Sequence, residues 1–447
     1  MVPADDPYAD VEETPEADGG RTALSPLARI LPPSATVEGG RLVIGDCDAV
    51  ELAERFGTPL YVYDEDSLRF ECRELAEAML GGPEGSQGLF AVKAFPAVAM
   101  ATIAREAGLG ILCSTGGEHA VATAAGIEPE RLVLHGNNKS EDELRLPVSR
   151  LVVDSFDEID RLERLGVDVD VWVRVTPGIE VGGHEFIRTG GVDSKFGIAA
   201  AQVVEAARRL AALPNVRVRG LHAHVGSQLL VKEETGVRDV MLPLLREVAE
   251  AVGEPVREVD LGGGMGLPYT VEDPEPLSPG DTARTLLDGW PDDVALTLEP
   301  GRALVGRAGV TLHRIGTVKE IEGIRTYVAV DGGMSDNIRT PLYGARYEFF
   351  LANRADHPGS RPVRIVGKHC ESGDILALEA SLPEAISPGE VLVTAATGAY
   401  CFAMASNYNV VPRPAVVLCR DGEARLAVRR ETVEDFLRLQ AFPDGSS

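Results

Sequence analysis

Eight short β-rich runs alternate with segments of helical periodicity, and this alternation constrains the fold more than any other feature of the sequence. The runs lie at residues 89–93, 110–113, 131–135, 150–154, 169–175, 218–224, 256–261 and 294–299. Between most of them, apolar residues recur at helical spacing, in the segments 97–107, 117–125, 157–165, 199–213 and 237–252. Eight successive units favour a closed (β/α)8 barrel over the alternative, a doubly wound open sheet.

Polar residues or glycines stand at the carboxyl end of every predicted strand. In chain order they present Lys93, Ser114, His135, Asp154, Arg174, His224, the glycines 262–264 and Glu299. Active sites of (β/α)8 barrels lie at the carboxyl ends of the strands. Because every end is polar or glycine, we expect the catalytic and binding residues to come from these positions.

The residues on either side of the barrel predict a second domain made of β-strands. Val-rich runs at 325–330, 362–366, 390–394, 415–419 and 424–428 are joined by Gly, Asp and Pro turns without long helices. Strands predicted within 35–63 precede the barrel and are expected to pair with this domain. We expect a disordered acidic tail over residues 1–24, the barrel over 64–311, and the β-domain over 25–63 and 312–447.

Charge and composition exclude several classes of function. The net charge of −27 repels the phosphates of nucleic acids and anionic membranes. No apolar run approaches the roughly 20 residues of a membrane span, and the first twenty residues lack the basic and apolar segments of a signal peptide. The six cysteines show neither a C-x-x-C pair nor zinc spacing. We therefore expect a cytoplasmic enzyme with reduced cysteines and a small-molecule substrate.

Lys93 follows an apolar run, and we predict that it ends a strand buried on both faces. Burial disfavours a charged amine and moves its pKa toward neutrality. A neutral amine can form a Schiff base with a carbonyl group. The alternative is a lysine that reaches water from the end of a strand.

Two motifs, one of glycines and one of histidines, suit a phosphorylated ligand. Bare backbone at Gly262–Gly264 can approach a phosphate, although a tight turn is the simpler interpretation. His222 and His224 lie on one face of a predicted strand. An imidazole stacked on a planar cofactor, with Ser227 at its phosphate, explains this spacing better than a metal pair. No carboxylate or third histidine stands at a matching position, so we assign no metal site.

Three further positions offer acid, base or anion-binding groups. Glu299, with Arg302 three residues on, is either a salt bridge at a helix start or a carboxylate facing a ring nitrogen beside an anion-binding arginine. Cys370 is either a buried structural cysteine or a proton donor. Tyr400 lies in a polar loop and serves either the turn or a bound phosphate or carboxylate.

Together these motifs resemble the fold-type III pyridoxal-phosphate-dependent decarboxylases, and among them the branch that acts on diaminopimelate. The resemblance covers about residues 57–414 and also rests on the segments 135–140, 194–197, 331–347 and 406–409. It implies an alanine racemase-like fold, the cofactor pyridoxal 5′-phosphate and a homodimer with shared active sites. Phe90 and the pair Phe95-Pro96 depart from the family pattern, but neither departure touches a matched functional position.

The resemblance also implies a role for individual residues. Lys93 would hold the cofactor covalently, His224 would stack on its ring, and Glu299 would keep the ring nitrogen protonated. The residues around the cofactor and its phosphate would further include His135, Ser227, Gly262, Gly263, Gly264, Pro300, Gly301, Arg302 and Tyr400. The substrate would be bound by Arg302, Arg339, Tyr343, Glu371 and Tyr400. Cys370, contributed with Glu371 by the second subunit, would protonate the product carbon.

These roles imply decarboxylation of meso-2,6-diaminopimelate to L-lysine and carbon dioxide, the last step of lysine biosynthesis. Glu299 favours decarboxylation, because racemases of the same fold place an arginine at this position. Arg339 and Tyr343 beside Glu371 indicate a substrate with both a carboxylate and an amine at its distal end. A decarboxylase of ornithine, arginine, lysine or carboxynorspermidine is the first alternative. A non-catalytic relative and a phosphate-binding protein are the others.

Overall fold

The computed structural model describes residues 21–23, 26–179, 194–229, 235–357 and 359–441. The chain divides into two compact units. We call Met1–Phe70, Pro268–Pro274 and Val305–Ser447 the β unit, and Glu71–Leu267 and Glu275–Leu304 the barrel unit. The predicted tail lies outside the described residues, except that Arg21–Ala23 form a strand. No described helix is long and apolar enough to cross a membrane.

The N-terminal part of the β unit contains a small antiparallel sheet and the first strand of a larger one. The small sheet consists of β1 (Arg21–Ala23), β2 (Thr36–Glu38), β3 (Arg41–Ile44) and β4 (Cys47–Asp48), paired in that order. Helix α1 (Ala49–Phe56) starts at Asp48, whose side chain accepts the backbone N–H groups of Val50 and Glu51. The fully buried β5 (Leu60–Asp64) and helix α2 (Glu65–Met79) follow.

The barrel unit contains the closed ring of eight parallel strands that the sequence predicts. The eight strands of the ring are β6 (Gln87–Ala91), β7 (Gly110–Cys113), β8 (Leu132–Leu134), β9 (Arg150–Val153), β10 (Val169–Thr176), β12 (Val216–Ala223), β13 (Glu258–Asp260) and β14 (Ala295–Leu298), and a ninth short strand is β11 (Ile198–Ala199). The ring closes where β14 pairs with β6, and β11 pairs with β10 outside the ring. The carboxyl ends of all eight ring strands therefore meet at one end of the barrel.

Helices connect most of these strands. They are α3 (Val98–Glu106), α4 (Gly116–Ala124), α5 (Phe156–Leu165), α6 (Val203–Ala211), α7 (Thr235–Val252), α8 (Pro279–Leu287) and α9 (Arg302–Val305). Local sequence explains their limits. Helix α5, for example, starts after Ser155, whose hydroxyl accepts the N–H of Glu158, and ends at Gly166 with a φ of 61°. Large apolar residues, with Trp172 among them, form a buried cluster with residues of the neighbouring strands.

The C-terminal part of the β unit is a second large sheet, as expected. Its strands are β15 (Gly309–Ile321), β16 (Arg325–Val330), β17 (Phe349–Leu351), β18 (Arg361–Val366), β19 (Ile375–Leu382), β20 (Val391–Thr394), β21 (Ala415–Arg420) and β22 (Glu423–Val428). Two short helices, α10 (Arg339–Tyr343) and α11 (Val433–Leu437), complete it. β5 joins this sheet between β15 and β21, whereas β1–β4 keep a sheet of their own. The sequence missed β15 and β19, because much of each strand is exposed and lacks a continuous apolar pattern.

Candidate active site

Glu299 is a buried carboxylate that two imidazoles hold at the end of the barrel. It follows β14, and its Oε1 lies 2.8 Å from Nε2 of His135, which follows β8. Its Oε2 lies 3.4 Å from Nε2 of His222 in β12. The two imidazoles meet edge to face, with their centroids 4.4 Å apart. Glu299 therefore pairs with two imidazoles, and among the ion pairs between described residues its partners are His135 and His222.

Asp260, the last residue of β13, completes this cluster. Four side chains each place one potential metal-ligand atom, a carboxylate oxygen or an imidazole nitrogen, within 4.8 Å of the other three. They are Asp260, Glu299, His135 and His222. The sequence analysis missed Asp260 and gave His222 no role of its own. The signal for Asp260 was available, since it is a charged residue at the end of an apolar strand that runs into three glycines.

The electrostatics of the cluster leave a negative charge on Glu299. Burial, and next the neighbouring Glu299, raise the pKa of Asp260 well above its usual value. Burial also acts to raise the pKa of Glu299, but His135 and His222 outweigh it, and this pKa lies well below its usual value. Burial lowers the pKa of His222 to about 3 and also lowers that of His135. These shifts favour a proton on Asp260, a neutral imidazole at His222 and a negative charge on Glu299.

The same four side chains are the one group of potential metal ligands that the described residues bring close together. The barrel thus supplies the carboxylates and the second histidine that the sequence analysis did not find for His222. His224, the other histidine of the predicted pair, lies elsewhere. Its Nδ1 accepts the backbone N–H of Gly263 at 3.2 Å. The two histidines therefore belong to different parts of the site and do not form a metal pair with each other.

Gly262–Gly264 make a turn after β13 in which each position requires glycine. Gly262 and Gly264 have φ values of 71° and 105°. A Cβ on Gly263 would lie 2.3 Å from the carbonyl oxygen of Glu299, and one on Gly264 would lie 2.7 Å from that of Gly226. Next to Gly226, the Ser227 hydroxyl accepts a hydrogen bond of 3.0 Å from Nη2 of Arg302. A guanidinium, a hydroxyl and bare backbone make a donor set that suits a phosphate.

Pro300 and Gly301 connect Glu299 to Arg302, and both are buried. The carbonyl oxygen of Pro300 accepts the backbone N–H of Ala91 at the end of β6. A Cβ on Gly301 would lie 3.1 Å from both Ala91 and Ala94. This segment therefore packs closely against the chain on either side of Lys93.

Lys93 does not end a buried strand, and the predicted burial of its amine is wrong. β6 ends at Ala91, and Val92–Ala94 form a single 3₁₀ turn. Val92 and Ala94 are buried, whereas Lys93 is exposed, because the turn rotates its side chain out of the barrel wall. Burial, and next the charge of Lys93, lower the pKa of His224. The amine is therefore accessible and near an imidazole of the barrel end.

Buried charged residues near the cluster form ion pairs of their own; the sequence analysis named Asp154 and Arg174 as polar strand ends but assigned no role to the others. Oδ1 of Asp154 lies 3.5 Å from Nη1 of Arg174, and its Oδ2 accepts the N–H of Gly197 at 3.0 Å. Lys139, which is 2% exposed, lies 2.8 Å from Oε1 of Glu158. Its ammonium also donates to the carbonyl oxygens of Gly136 and Val152. This lysine fixes the segment that directly follows His135.

Arg339 and Tyr343 lie on the short helix α10 of the β unit. The Arg339 guanidinium donates to the hydroxyl of Tyr347 and lies 4.6 Å from the centroid of the Tyr269 ring. Arg339 is buried, and among the described residues no carboxylate pairs with it. Its positive charge therefore lacks a protein anion, which suits an arginine that binds a carboxylate of a ligand. Tyr343 is half-buried.

Cys370, Glu371 and Tyr400 also belong to the β unit. Cys370 and Glu371 are exposed in the connection between β18 and β19. Cys370 is the exposed one, whereas the other five cysteines are buried, so the interpretation of Cys370 as a buried structural cysteine is wrong. Tyr400 is half-buried, and its φ of 66° is unusual for a non-glycine residue and common at functional sites.

The predicted site residues thus fall into two sets. Lys93, His135, His224, Ser227, the glycine turn and the segment from Glu299 to Arg302 meet at the carboxyl end of the barrel. An accessible amine, a buried carboxylate and a glycine turn near the guanidinium of Arg302 fit a cofactor with a reactive carbonyl, a basic ring nitrogen and a phosphate. The remaining residues, Arg339, Tyr343, Cys370, Glu371 and Tyr400, are presented by the β unit.

Comparisons with known proteins agree with this chemistry. A family model described as the pyridoxal-binding domain of pyridoxal-dependent decarboxylases matches residues 67–306. The diaminopimelate decarboxylase of Mycobacterium tuberculosis is 43% identical over 430 residues, which cover 90% of this chain and 95% of that protein. That of Bacillus subtilis is 42% identical over 421 residues, with the same coverage. The structure of diaminopimelate decarboxylase from M. jannaschii with L-lysine has a TM-score of 0.82 at 28% identity, covering 92% of this chain and 99% of that one.

Proposed function

We propose, from the premise that this chain belongs to the pyridoxal-dependent decarboxylases, that it converts meso-2,6-diaminopimelate to L-lysine and carbon dioxide. The curated relatives at 40–43% identity are diaminopimelate decarboxylases, which favours this substrate over other basic amino acids. The observation in the structure that carries the proposal is the buried Glu299 carboxylate between His135 and His222. It is the group needed to keep a ring nitrogen protonated during decarboxylation.

The cofactor is pyridoxal 5′-phosphate, and the residues at the barrel end fit it. Ser227, Arg302 and the glycine turn would hold the phosphate, Glu299 would face the ring nitrogen, and Lys93 would hold the cofactor covalently. When bound, the cofactor accepts the electron pair that the departing carboxylate leaves behind. His224 would pack against the ring, where its lowered pKa keeps the imidazole neutral.

The side chains of this protein contribute to the chemical step by holding a negative charge in place before the reaction begins. Glu299 remains ionised because His135 and His222 stabilise it and Asp260 carries the neighbouring proton. A carboxylate held in this way needs no reorganisation when positive charge must be kept on the ring nitrogen. The exposed Lys93 amine can leave and re-enter the site, because it is accessible to solvent and is not packed in the barrel wall.

Residues of the β unit would bind the distal end of the substrate and supply the proton donor. Arg339 and Tyr343, with Arg302 and Tyr400, would bind the distal carboxylate, and Glu371 would bind the distal ammonium. Cys370 would donate the proton that replaces the lost carboxylate. The exposure of Cys370 and the absence, among described residues, of a carboxylate partner for Arg339 support these assignments.

The proposed assembly is a homodimer in which a second copy contributes Cys370 and Glu371 to the barrel of the first. Mixing the Lys93→Ala and Cys370→Ala variants tests this directly. Each variant alone should have at most about 1% of the wild-type activity, and random exchange of subunits should restore about a quarter of it, since half of the dimers would carry one intact site. We further propose a cytoplasmic location, because six cysteines with neither a C-x-x-C pair nor zinc spacing fit a reducing compartment.

The decisive experiment measures carbon dioxide release by the cofactor-loaded protein. The substrates are meso-diaminopimelate, L-lysine, L-ornithine and L-arginine, and Lys93→Ala is the control. We expect release from meso-diaminopimelate alone, and none from the variant. Release from a different amino acid alone would overturn the assignment of the distal residues. No release from any substrate would overturn the proposed function.

A further inference from the structure

The turn that carries Cys370 and Glu371 is tied down by the buried carboxylate of Asp374. We call residues 367–374 the Cys370 turn. Oδ2 of Asp374 accepts the backbone N–H of His369 at 2.8 Å, and Oδ1 accepts that of Met334 at 2.6 Å. Asp374 is 3% exposed, although Cys370 and Glu371 beside it are exposed. One carboxylate thus links the turn to the segment that follows β16.

Glycines make the space that this carboxylate occupies. A Cβ on Gly333 would lie 2.5 Å from Oδ1 of Asp374, and a Cβ on Gly367 would lie 2.2 Å from Oδ2. The backbone N–H of Gly367 donates to the carbonyl oxygen of Asp374 at 3.0 Å, which closes the base of the turn. The base is therefore packed around the carboxylate and leaves no room for a larger side chain at either glycine.

His369 is a second anchor, on the residue directly before Cys370. It is buried, and its Nε2 lies 2.8 Å from the hydroxyl of Ser335. Its Nδ1 lies 3.1 Å from Oδ1 of Asn409. Because the Asn409 oxygen accepts, Nδ1 carries the proton and the Ser335 hydroxyl donates to Nε2. The imidazole is thereby fixed between two segments and packs beside the ring of Tyr408.

Short backbone hydrogen bonds leave the exposed tip little freedom between these anchors. The N–H of Glu371 donates to the carbonyl oxygen of His369 at 2.8 Å, and that of Asp374 donates to Glu371 at 3.1 Å. The Glu371 side chain also accepts the N–H of Gly373 at 3.1 Å. An exposed tip with a rigid base is what a residue needs if it must act at a fixed place outside its own unit.

We propose that Asp374 and His369 are positioning residues that hold Cys370 and Glu371 ready for the reaction. This inference rests on the proposed function, which gives Cys370 the role of proton donor and Glu371 that of substrate ligand. Asp374 and His369 act only through the turn. Their loss therefore affects catalysis by displacing Cys370 and Glu371 and leaves the cofactor site unchanged.

The first test is independent of activity. Asp374→Asn replaces one acceptor oxygen with an amino group that faces a backbone N–H, and it should increase amide hydrogen exchange at His369 and Met334 by at least about tenfold. Native alkylation counts the accessible thiols and serves as the control for folding. Only Cys370 should react in the wild type, because the other five cysteines are buried, and the same count in the variant would show an intact core.

The second test asks whether Asp374 acts through Cys370. Asp374→Asn should lower kcat by about tenfold or more, whereas in a Cys370→Ala background it should change kcat by less than about twofold and raise only KM, through the displaced substrate ligand Glu371. A general loss of stability would lower kcat equally in both backgrounds. Asp435→Asn is the matched control, since this carboxylate also accepts a backbone N–H in the β unit but lies in helix α11. It should leave exchange at the Cys370 turn and kcat unchanged.

Gly367→Ala provides a second variant if Asp374→Asn does not fold. It adds one methyl group against the carboxylate and should raise exchange at His369 in the same way. Unchanged exchange in a folded variant would overturn the proposal, as would an equal loss of kcat with and without Cys370. A wild type that releases no carbon dioxide would overturn the proposed function instead, and the exchange data would still decide whether Asp374 fixes the turn.

Discussion

Nε2 of His135 and Oε1 of Glu299 lie 2.8 Å apart, and both side chains are buried. Two strands, β6 and β7, separate β8 from β14 in the ring, so this contact crosses the barrel end and does not run along the sheet. His222 reaches the same carboxylate from β12, on the other side of β14. Glu299 is therefore held from two directions, which fixes the orientation of its carboxylate.

Replacing Glu299 with glutamine tests the role of its charge. The amide is nearly isosteric but neutral, so it cannot keep a ring nitrogen protonated. We expect cofactor binding to persist, as measured by absorbance, and kcat to fall roughly 10²-fold, the scale for the loss of one preorganised electrostatic partner. Glu434→Gln, an exposed position in helix α11, is the control. An unchanged kcat in Glu299→Gln would remove this residue from the mechanism.

Replacing Cys370 with alanine tests the proton donor. Loss of a general acid costs roughly 10²–10⁴-fold in rate, so kcat should fall by an amount in this range. Cofactor loading should stay normal, since Cys370 belongs to the β unit. Cys72→Ala, a change at a buried cysteine in helix α2, controls for loss of a thiol as such. Full activity of Cys370→Ala would require another proton donor.

The buried His222 makes stability depend on pH in a defined direction. Its pKa is lowered to about 3 in the folded protein, against about 6.5 in the unfolded chain. The unfolded chain therefore binds a proton that the folded chain rejects, and stability is lost as the pH falls from about 6.5 toward about 3. The slope due to this one group reaches about 1.4 kcal/mol per pH unit.

Urea unfolding between pH 7 and pH 4 measures this slope. His222→Gln keeps a hydrogen-bond donor but does not titrate, so its free energy of unfolding should depend less steeply on pH than that of the wild type. His357→Gln, at an exposed histidine, should retain the wild-type slope. Equal slopes for His222→Gln and the wild type would contradict the neutral state assigned to His222.

Because Lys139 and Glu158 form a buried ion pair, we expect the loss of one partner to lower stability more than the loss of both. Removing only the lysine leaves a buried carboxylate without its partner, and Lys139→Met should lower the free energy of unfolding by about 3–5 kcal/mol. The double variant Lys139→Met/Glu158→Leu should recover much of that loss, because no charge remains buried. Denaturant unfolding measures both. Lys319→Met, at an exposed lysine, should change stability by less than about 0.5 kcal/mol. Equal losses in the single and double variants would argue against the pairing.

Local sequence was sufficient to predict the barrel and several parts of the site. The eight strands appear in the structure within a few residues of their predicted limits, because apolar periodicity and turn residues act over short stretches of chain. The turn at Gly262–Gly264 was predictable for a similar reason, since three glycines after a strand allow a backbone conformation closed to other residues. The position of Glu299 at the end of β14 followed from the same strand assignment.

Tertiary structure alone decided which of these residues meet and which side chains are buried. Asp260 and His222 join Glu299 because β12, β13 and β14 pair in one particular register, and His135 reaches the same carboxylate from β8 because the ring closes between β14 and β6. Lys93 is exposed because one 3₁₀ turn follows β6 where the sequence predicted that the strand continues. Both outcomes depend on contacts between segments far apart in the chain. Sequence determined where each polar group stands along its strand, but closure of the ring determined its partner, because burial and charge pairing arise only once distant strand ends are brought together.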